Sequence, residues 1–304
     1  MANVIDDHAI QIRQEWVYKI QSLKNVFAKH SLDLENELEA EISTLGTKTL
    51  IDHLRLCGNI PESYGHDTTE EKLYSKYTDS LLCSAFKKMG LKSLVLSERA
   101  DVADVDVFAS EYSFVADAKA FRLSRTAKNQ KDFKVQAMDR WKHGKQYAMV
   151  VCPIYQLPKS ASQIYHQATS RNVCIFTYSH LSLLVMYAEV AGVKASEQLL
   201  LNIFKTISAL NPSKSALDYW QAVNKTILDT SKDIENLWKI EKVASLESIT
   251  IAKREGLLYL ASEREKIMRM SHSEALNELI KVSKIDSKIK IIQSITDSGI
   301  FNIK

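Results

Sequence analysis

The sequence predicts an α/β fold in which a central mixed sheet is flanked by helices, with helical segments towards both ends of the chain. Three observations lead to this class. Apolar residues recur at helix period in the outer parts of the sequence, short β-rich segments are confined to the middle, and glycine (8 residues) and proline (4 residues) are scarce. Three regions are therefore expected: helical over 1–65, mixed over 66–194 and helical over 195–304.

Composition is that of an ordinary soluble protein. Of the 304 residues, 45% are hydrophobic and 25% are charged, and the formal net charge is only +3. Because this excess does not by itself indicate a nucleic-acid partner, the local clustering of charge carries more information. The cysteines show no CxxC spacing, and three of them lie in apolar stretches, which predicts buried thiols in a reducing compartment. They are Cys57, Cys83, Cys152 and Cys174.

No segment indicates export or a membrane span. The first residues lack the basic and apolar regions of a signal peptide, and the most apolar run, 181–193, is short and interrupted by polar side chains. The expected location is therefore the cytoplasm, without a membrane partner.

The N-terminal region carries apolar residues at helix spacing from about residue 5 to residue 57, which predicts two or three amphipathic helices. Thr68 and Glu71 have the spacing of a capping box that opens the next helix. Gly90 suits the position just beyond the end of that helix.

The middle of the chain alternates strands and helices. The β-rich segments 102–109 and 113–120 are separated by three residues and predict a hairpin. Strands are then predicted at 147–152 and 173–178, with helices at about 128–143, 161–170 and 181–190.

Only helical patterns follow residue 195. Asn211-Pro212 predicts a helix start, with a cap residue and a proline at the first helical position. Ser271 and Glu274 predict a second capping box. This last third of the chain is expected to dimerise, to clamp DNA, or both.

Asp117 and Lys119 carry the first chemical signal. Residues i and i+2 of an extended strand project from the same face, so these side chains point the same way. An isolated Asp-x-Lys is usually a solvent-exposed ion pair. At a strand end, however, a carboxylate beside an ammonium can hold a divalent metal and orient a water, as phosphodiester hydrolysis requires. The pair therefore indicates a metal-dependent nuclease.

The first hairpin strand offers a second carboxylate. Asp104 and Asp106 lie on the same face of that strand, so strand geometry alone does not choose between them. Asp106 is preferred as the metal ligand because it lies closer to the apolar part of the strand, with Asp104 as the alternative and Asp101 as a weaker candidate. The backbone carbonyl of Ala118 could complete the coordination.

A basic segment follows this strand, with Asp132 as its single acid. Beside a metal site, such a segment suits contacts with DNA phosphates and base edges better than a merely solvated helix face. The predicted DNA-binding residues are Arg122, Arg125, Lys128, Asn129, Lys131 and Lys134. Asn129 has the chemistry to read adenine and Arg125 the chemistry to read guanine.

Asp106, the tripeptide 117–119 and their strand–hairpin–helix setting resemble the PD-(D/E)XK nuclease family. The stretch 115–135 is more specific and resembles type II restriction endonucleases of that family, and the likeness covers roughly residues 60–190. Val105 stands where the family name has proline.

The resemblance implies a PD-(D/E)XK core over 66–194 that uses Mg²⁺ and works as a homodimer on double-stranded DNA. It implies the palindrome AAGCTT, cut between the two adenines to leave four-base 5′ overhangs. It assigns metal binding to Asp106 and Asp117, and assistance of the water to Lys119. Some nucleases of this type place a helix glutamate near a second metal, a role that Glu71 could fill.

Two other functions share parts of this pattern. A repair or junction-resolving nuclease would cut branched DNA without a fixed fragment pattern, and a non-catalytic DNA-binding protein would bind without metal. The continuous match to restriction enzymes argues against the first, and the intact Asp…Asp-x-Lys set argues against the second. The sequence has no Gly-rich phosphate loop, which argues against nucleotide hydrolysis.

Overall fold

The structure is a computed structural model that describes residues 3–23, 27–96, 102–125 and 130–294. Its strands are β1 (Lys92–Val95), β2 (Val105–Phe108), β3 (Ser113–Ala118), β4 (Tyr147–Cys152) and β5 (Val173–Thr177). Its helices are α1 (Asp7–Ser22), α2 (Phe27–Leu45), α3 (Thr47–Leu56), α4 (Thr69–Lys88), α5 (Gln130–Phe133), α6 (Val135–Trp141), α7 (Gln163–Ser170), α8 (Tyr178–Ala191), α9 (Val193–Ala209), α10 (Ala216–Leu228), α11 (Lys232–Met268), α12 (His272–Val282) and α13 (Ile285–Ser294).

The five strands form one mixed sheet in the order β1-β2-β3-β4-β5. β1, β2 and β3 pair antiparallel, whereas β3, β4 and β5 pair parallel. The parallel pairs need crossover connections, which contain α5 and α6 between β3 and β4, and α7 between β4 and β5. The predicted class, a mixed sheet flanked by helices with helical ends, is confirmed.

Helices cover the sheet, and β3 lies in its interior between β2 and β4. α4 contacts β1, β2 and β3, and α6 and α7 contact the parallel strands. Every residue of β5, and all but the first residue of β3 and β4, is buried. Strands covered on both faces are expected to be continuously apolar, which explains the runs at Tyr147–Cys152 and Val173–Thr177.

Local signals at the ends of α4 are largely confirmed. The Thr68 hydroxyl accepts a hydrogen bond from the backbone N–H of Glu71. The Glu71 carboxylate accepts from the backbone N–H of Asp67 instead of that of Thr68, so only half of the predicted capping box forms. At the other end Gly90 has φ +82°, a conformation that favours glycine, and the N–H of Leu91 returns to the carbonyl of Phe86. The capping box at Ser271 and Glu274 is complete.

Two helix predictions were wrong in their bounds. The helix expected over 128–143 is two short helices, separated at Lys134, whose φ of 50° lies in the left-handed region. The start expected at Asn211-Pro212 lies instead at Ala216, because Ser215 supplies the cap by accepting from the N–H of Asp218. The fixed φ of proline suits turns as well as a first helical turn, so proline alone did not decide the boundary.

The chain divides into two compact units, Met1–Gly256 and Leu257–Lys304. The divisions predicted at residues 65 and 194 fall within the first unit and stay predictions. All four cysteines are free and buried, as expected. Within the described ranges, every helix is either too short or too polar to cross a bilayer.

His180, in the first turn of α8, is a buried histidine with neutral hydrogen-bond partners. Its Nδ1 lies 2.6 Å from the hydroxyl of Thr177 and its Nε2 lies 3.1 Å from Oδ1 of Asn224. The ring stacks on Trp220 with centroids 5.3 Å apart. Burial lowers the pKa of His180 to about 4, and the hydrogen bond with Asn224 opposes this shift only in part.

We therefore predict an acid-dependent loss of stability through His180. The pKa of histidine is about 6.5 in an unfolded chain. Between about pH 6.5 and pH 4, the imidazole of His180 is therefore protonated in the unfolded state but stays neutral in the folded state. The free energy of unfolding should fall across that window by on the order of 3 kcal/mol more in the wild type than in His180→Gln. Urea unfolding at several pH values measures this difference, and His272→Gln, at an exposed histidine, is the control. Equal pH slopes for wild type and His180→Gln would contradict the prediction.

Candidate active site

Asp117 and Lys119 lie at the carboxyl end of β3, at the centre of the sheet. The register pairs Asp117 with Val150 of β4, and the backbone N–H of Lys119 donates to the carbonyl of Val151 over 2.8 Å. Asp117 is fully buried. Because β3 has a partner strand on each side, the direction of both side chains is set by the sheet.

The exit from β3 is held in place by the segment that follows α3 and by the start of α8. The N–H of Phe121 donates to the carbonyl of Gly58 over 3.0 Å, and Tyr178 donates its hydroxyl to the carbonyl of Lys119 over 3.1 Å. A Cβ on Gly58 would lie 2.8 Å from Cβ of Pro153, so this close approach requires glycine. The backbone on both sides of the Asp117–Lys119 pair is therefore tied down.

Lys119 forms an ion pair with Oδ2 of Asp117. Burial alone would raise the pKa of the Asp117 carboxyl, but the positive charge of Lys119 outweighs it and the net direction is downward. Burial would likewise lower the pKa of Lys119, and the charge of Asp117 raises it instead. The two groups therefore hold each other in their charged forms.

The hairpin register brings Asp104 to Asp117. Val105 pairs with Ala116 and Asp106 pairs with Val115, so one further step along this register sets Asp104 opposite Asp117. Burial, followed by the negative charges of Asp79 and Asp117, raises the pKa of Asp104 to about 9. The carboxyl of Asp104 is therefore close enough to Asp117 for the two charges to repel.

Asp106, the preferred first acid from the sequence, is on the same face of the strand as Asp104 but two residue pairs away from Asp117. Its Oδ2 lies 3.0 Å from Nζ of Lys145, and it pairs with Val115 rather than with Asp117. The structure therefore brings Asp104, and not Asp106, beside Asp117. Asp101 lies outside the described residues.

Asp79 of α4 is a third carboxylate at this site, and the sequence analysis missed it. The residue is 2% exposed and its Oδ1 has no hydrogen-bond partner. Burial raises the pKa of Asp79 to about 7. The charge of Lys76, whose Nζ lies 3.8 Å from Oδ2 of Asp79, opposes this rise, and the negative charge of Asp117 adds to it. One signal was present in the sequence, because Asp79 is a charged residue among the apolar positions of an amphipathic helix.

Glu71 and Arg122 form a separate contact at the start of α4. Nη1 of Arg122 lies 2.9 Å from Oε1 of Glu71, and Nη2 donates to the carbonyls of Tyr64 and Gly65 over 3.0 and 2.8 Å. Arg122 is 8% exposed. These contacts favour a structural role for Arg122 over the predicted DNA contact, and they keep Glu71 engaged away from Asp117.

Glu71 also belongs to a partly exposed group with His66 and Asp67, whose potential ligand atoms all lie within 4.8 Å of one another. His66 and Asp67 already pair at 2.7 Å. Among the described residues, Asp79, Asp104 and Asp117 do not form a group whose ligand atoms all lie within 4.8 Å of one another.

The remaining predicted DNA-binding residues lie on the segment after β3. Arg125 is exposed and lies 3.5 Å from Asp132. Lys134 is exposed, and its Nζ lies 5.3 Å from the ring centroid of Trp141. Its charge lowers the pKa of both Asp79 and Asp117, which places it in the electrostatic field of the site. Lys128 and Asn129 lie outside the described residues, and the side chain of Lys131 is not described.

Comparison with known proteins gives one consistent result. The family model of the HindIII restriction endonuclease matches residues 14–296. The type II restriction enzyme HindIII of Haemophilus influenzae (strain ATCC 51907 / DSM 11121 / KW20 / Rd) is 32% identical over 278 residues, which is 90% of this chain and 92% of that enzyme.

The contacts of Arg122 and Arg125 predict very different losses of stability when each arginine is replaced by alanine. Arg122→Ala removes the buried cation that pairs with Oε1 of Glu71 and donates to two carbonyls, so the free energy of unfolding should fall by about 3 kcal/mol. Arg125→Ala removes an exposed pair and should cost less than about 1 kcal/mol. Urea unfolding measures both changes. An Arg122→Ala protein of wild-type stability that had lost only its affinity for DNA would contradict the structural role.

Proposed function

This chain belongs to the HindIII restriction endonuclease family, and we propose that it cuts both strands of a short DNA palindrome at the site around Asp117. It is a type II restriction enzyme, a site-specific deoxyribonuclease, and enzymes of this kind generally need a divalent metal. The observation that carries the proposed site is the meeting of the buried Asp117 with the partly buried Asp104 and Lys119 at the carboxyl end of β3.

The donor set at this end of β3 suits Mg²⁺. The buried Asp117 carboxylate lies beside the Lys119 ammonium and the Asp104 carboxyl, and burial and neighbouring negative charge raise the pKa of Asp104. Small divalent cations prefer one or two carboxylates together with other oxygen donors. Asp104, Asp117 and the carbonyl of Ala118 would hold the ion, with Asp106 as the alternative first acid. Bound there, it would supply charge neutralisation at the scissile phosphate and an acidified water.

Lys119 acts as a cation in this mechanism. Because the charge of Asp117 raises its pKa, Lys119 stays protonated and donates hydrogen bonds. It therefore orients the attacking water or stabilises the charge that develops on the phosphate oxygens, instead of accepting the proton from the water. The ties on either side of residue 119 fix where that ammonium points.

Asp79 adds to the negative potential of the site from α4. Its carboxyl is one of the groups that raise the pKa of Asp104, so the two lie within electrostatic reach. We assign to Asp79 a role in attracting and positioning the divalent cation. Glu71, for which the sequence suggested a second-metal role, is held by Arg122 and stays an alternative for that role.

DNA contacts are assigned to the segment after β3. Arg125 and Lys134 are exposed cations, and Lys128, Asn129 and Lys131 stand between them in the sequence. Such side chains neutralise phosphates and read base edges. Arg122 is left out of this set because its guanidinium is engaged by Glu71 and two carbonyls.

The proposed target is AAGCTT, cut between the two adenines to leave four-base 5′ overhangs. Two copies of the chain would act together, since the two-fold symmetry of a homodimer matches that of a palindrome and each copy would cut one strand. We expect the enzyme to act in the bacterial cytoplasm. The similarity to HindIII over nine-tenths of the chain supports this target.

The choice between the two candidate first acids gives a direct prediction. Asp104→Asn should lower the rate of Mg²⁺-dependent cleavage at least about 100-fold, because it removes one of two carboxylates at the metal. Asp106→Asn breaks only a partly buried pair with Lys145 and should leave the rate within about threefold. Single-turnover cleavage of a duplex that contains AAGCTT measures both. The reverse ranking of the two variants would restore Asp106 as the ligand.

Fragment ends test the proposed target. The purified protein is incubated with sequenced plasmid DNA in Mg²⁺ and in EDTA, and the ends of the products are sequenced. We expect discrete fragments with 5′-AGCT overhangs in Mg²⁺ and intact DNA in EDTA. Discrete fragments with other ends would keep the endonuclease and reject the target, whereas intact DNA under both conditions would reject the proposed site.

A further inference from the structure

The backbone of Lys119 lies where strand β3 loses its partner β4. One further step along the register of these parallel strands sets Lys119 opposite Cys152. In a parallel pair, a residue that donates its N–H to the position before its opposite residue accepts from the N–H of the position after it. The N–H of Lys119 donates to the carbonyl of Val151. The matching donor for the Lys119 carbonyl would therefore be the N–H of residue 153.

Residue 153 is a proline, which has no backbone N–H. Pairing with β4 therefore leaves the carbonyl of Lys119 without its regular donor. Two residues later the chain has already changed partner. Phe121 donates its N–H to the carbonyl of Gly58 and accepts from the N–H of Ile60 over 3.3 Å. The Lys119 carbonyl lies between these two sets of backbone hydrogen bonds.

Tyr178 provides the donor that Pro153 lacks. Its hydroxyl donates to the carbonyl of Lys119 over 3.1 Å. The residue directly follows β5 as the first of α8, a helix that contacts α3, α4 and α9, and it is only 3% exposed. Burial holds the pKa of Tyr178 well above its usual range, so the hydroxyl keeps its proton near neutral pH. The hydrogen bond therefore ties Lys119 to a side chain that is itself fixed by packing.

Holding the carbonyl of Lys119 fixes the direction of its side chain. With the N–H bound to Val151 and the carbonyl bound to Tyr178, both backbone polar groups of the residue are held. The bond from Cα to Cβ then has a set direction, and the ammonium at the end of the side chain stays beside Asp117. Catalytic groups are sensitive to such placement, since an error of about 1 Å can slow a reaction by about 100-fold.

We propose that Tyr178 is a positioning residue for the cleavage reaction. Its hydroxyl takes the place of the N–H missing at Pro153 and holds Lys119 so that the ammonium meets the scissile phosphate. This inference rests on the proposed function, because Lys119 is the group that would act on the phosphate. Tyr178 acts only through Lys119, so its loss should slow cleavage without weakening the binding of DNA.

The variant Tyr178→Phe removes the hydroxyl and keeps the buried ring. In single-turnover cleavage of an AAGCTT duplex with Mg²⁺, we expect the rate to fall at least about tenfold, since Lys119 loses one of its two backbone ties. Fluorescence anisotropy with the same duplex in EDTA measures the affinity for DNA. The Kd should stay within about twofold of the wild-type value, because the lost interaction matters to the reacting state and not to binding.

The variant Tyr155→Phe is the matched control. The hydroxyl of Tyr155 donates to the carbonyl of Gly58 over 2.9 Å, close to the same exit from β3. That carbonyl also accepts from the N–H of Phe121, so it keeps a partner when the hydroxyl is removed. The cleavage rate of Tyr155→Phe should therefore stay within about threefold of the wild type. Urea unfolding of both variants corrects the rates for any unfolded fraction.

The substitution Pro153→Ala tests the missing donor directly. Alanine restores a backbone N–H at residue 153, which can donate to the carbonyl of Lys119 as the next hydrogen bond between β3 and β4. The double variant Tyr178→Phe with Pro153→Ala should therefore recover a cleavage rate within about threefold of the wild type. Pro153→Ala alone should cut at the wild-type rate, because Tyr178 still holds Lys119.

Hydrogen exchange reports the same tie without any cleavage. The N–H of Lys119 is protected by its hydrogen bond to Val151. It should exchange at least about tenfold faster in Tyr178→Phe than in the wild type, because local opening at the end of β3 becomes easier. The exchange of this amide should be unchanged in Tyr155→Phe. Amide exchange resolved by NMR measures both values.

The outcomes separate the positioning role from the enzyme activity. A Tyr178→Phe protein that cuts at the wild-type rate overturns the proposal, as does one whose slower cleavage is matched by Tyr155→Phe or is explained by weaker DNA binding. A double variant that stays as slow as Tyr178→Phe also overturns it. If the wild type cuts no DNA, the proposed function fails, and faster exchange at Lys119 in Tyr178→Phe alone still supports the tie. Unchanged exchange there overturns the tie as well.

Discussion

The structure depends on holding the carboxyl groups of Asp104 and Asp117 beside the ammonium of Lys119 at the largely buried end of β3. Burial and neighbouring negative charge raise the pKa of Asp104 to about 9, so near neutral pH the two carboxyl groups together carry a single negative charge. This arrangement needs a backbone that is fixed from several directions. The hairpin with β2 supplies Asp104, the parallel partner β4 fixes Asp117, and the tie to Val151 fixes Lys119. The same arrangement suits the proposed chemistry. The carboxyl oxygens can bind a divalent metal, and the fixed ammonium beside them can interact with a phosphate.

A second buried charge joins the N-terminal helices to this core. Arg13 of α1 donates to the carbonyls of Leu56 and Asn59 and to the hydroxyl of Tyr74, at 2.8 to 2.9 Å. It also pairs with Glu255 of α11 at 3.0 Å. The segment that follows α3 is thereby held where Gly58 accepts the hydrogen bond from Phe121. The helices outside the sheet therefore serve the site by fixing the exit from β3.

The sequence was sufficient for the fold class and for the Asp117–Lys119 pair, because period-2 strands, buried apolar runs and cap residues are local signals. It preferred Asp106 as the first acid, because both aspartates lie on one face and only the register with β3 shows that Asp104 stands opposite Asp117. It missed Asp79, which reaches the site from a helix far away in the sequence. It assigned Arg122 to DNA, because a buried arginine and an exposed one have the same local sequence pattern.

The central claim, that Asp104 and Asp117 share a divalent metal, is tested most directly by locating that metal. Crystals of the protein with an AAGCTT duplex would be soaked in Mn²⁺ as a detectable substitute for Mg²⁺, and anomalous scattering would show its position. The account predicts an ion between the carboxylates of Asp104 and Asp117, with the ammonium of Lys119 directed towards the scissile phosphate. An ion bound by Asp106, or by the group of His66, Asp67 and Glu71 and not by Asp104, would contradict it.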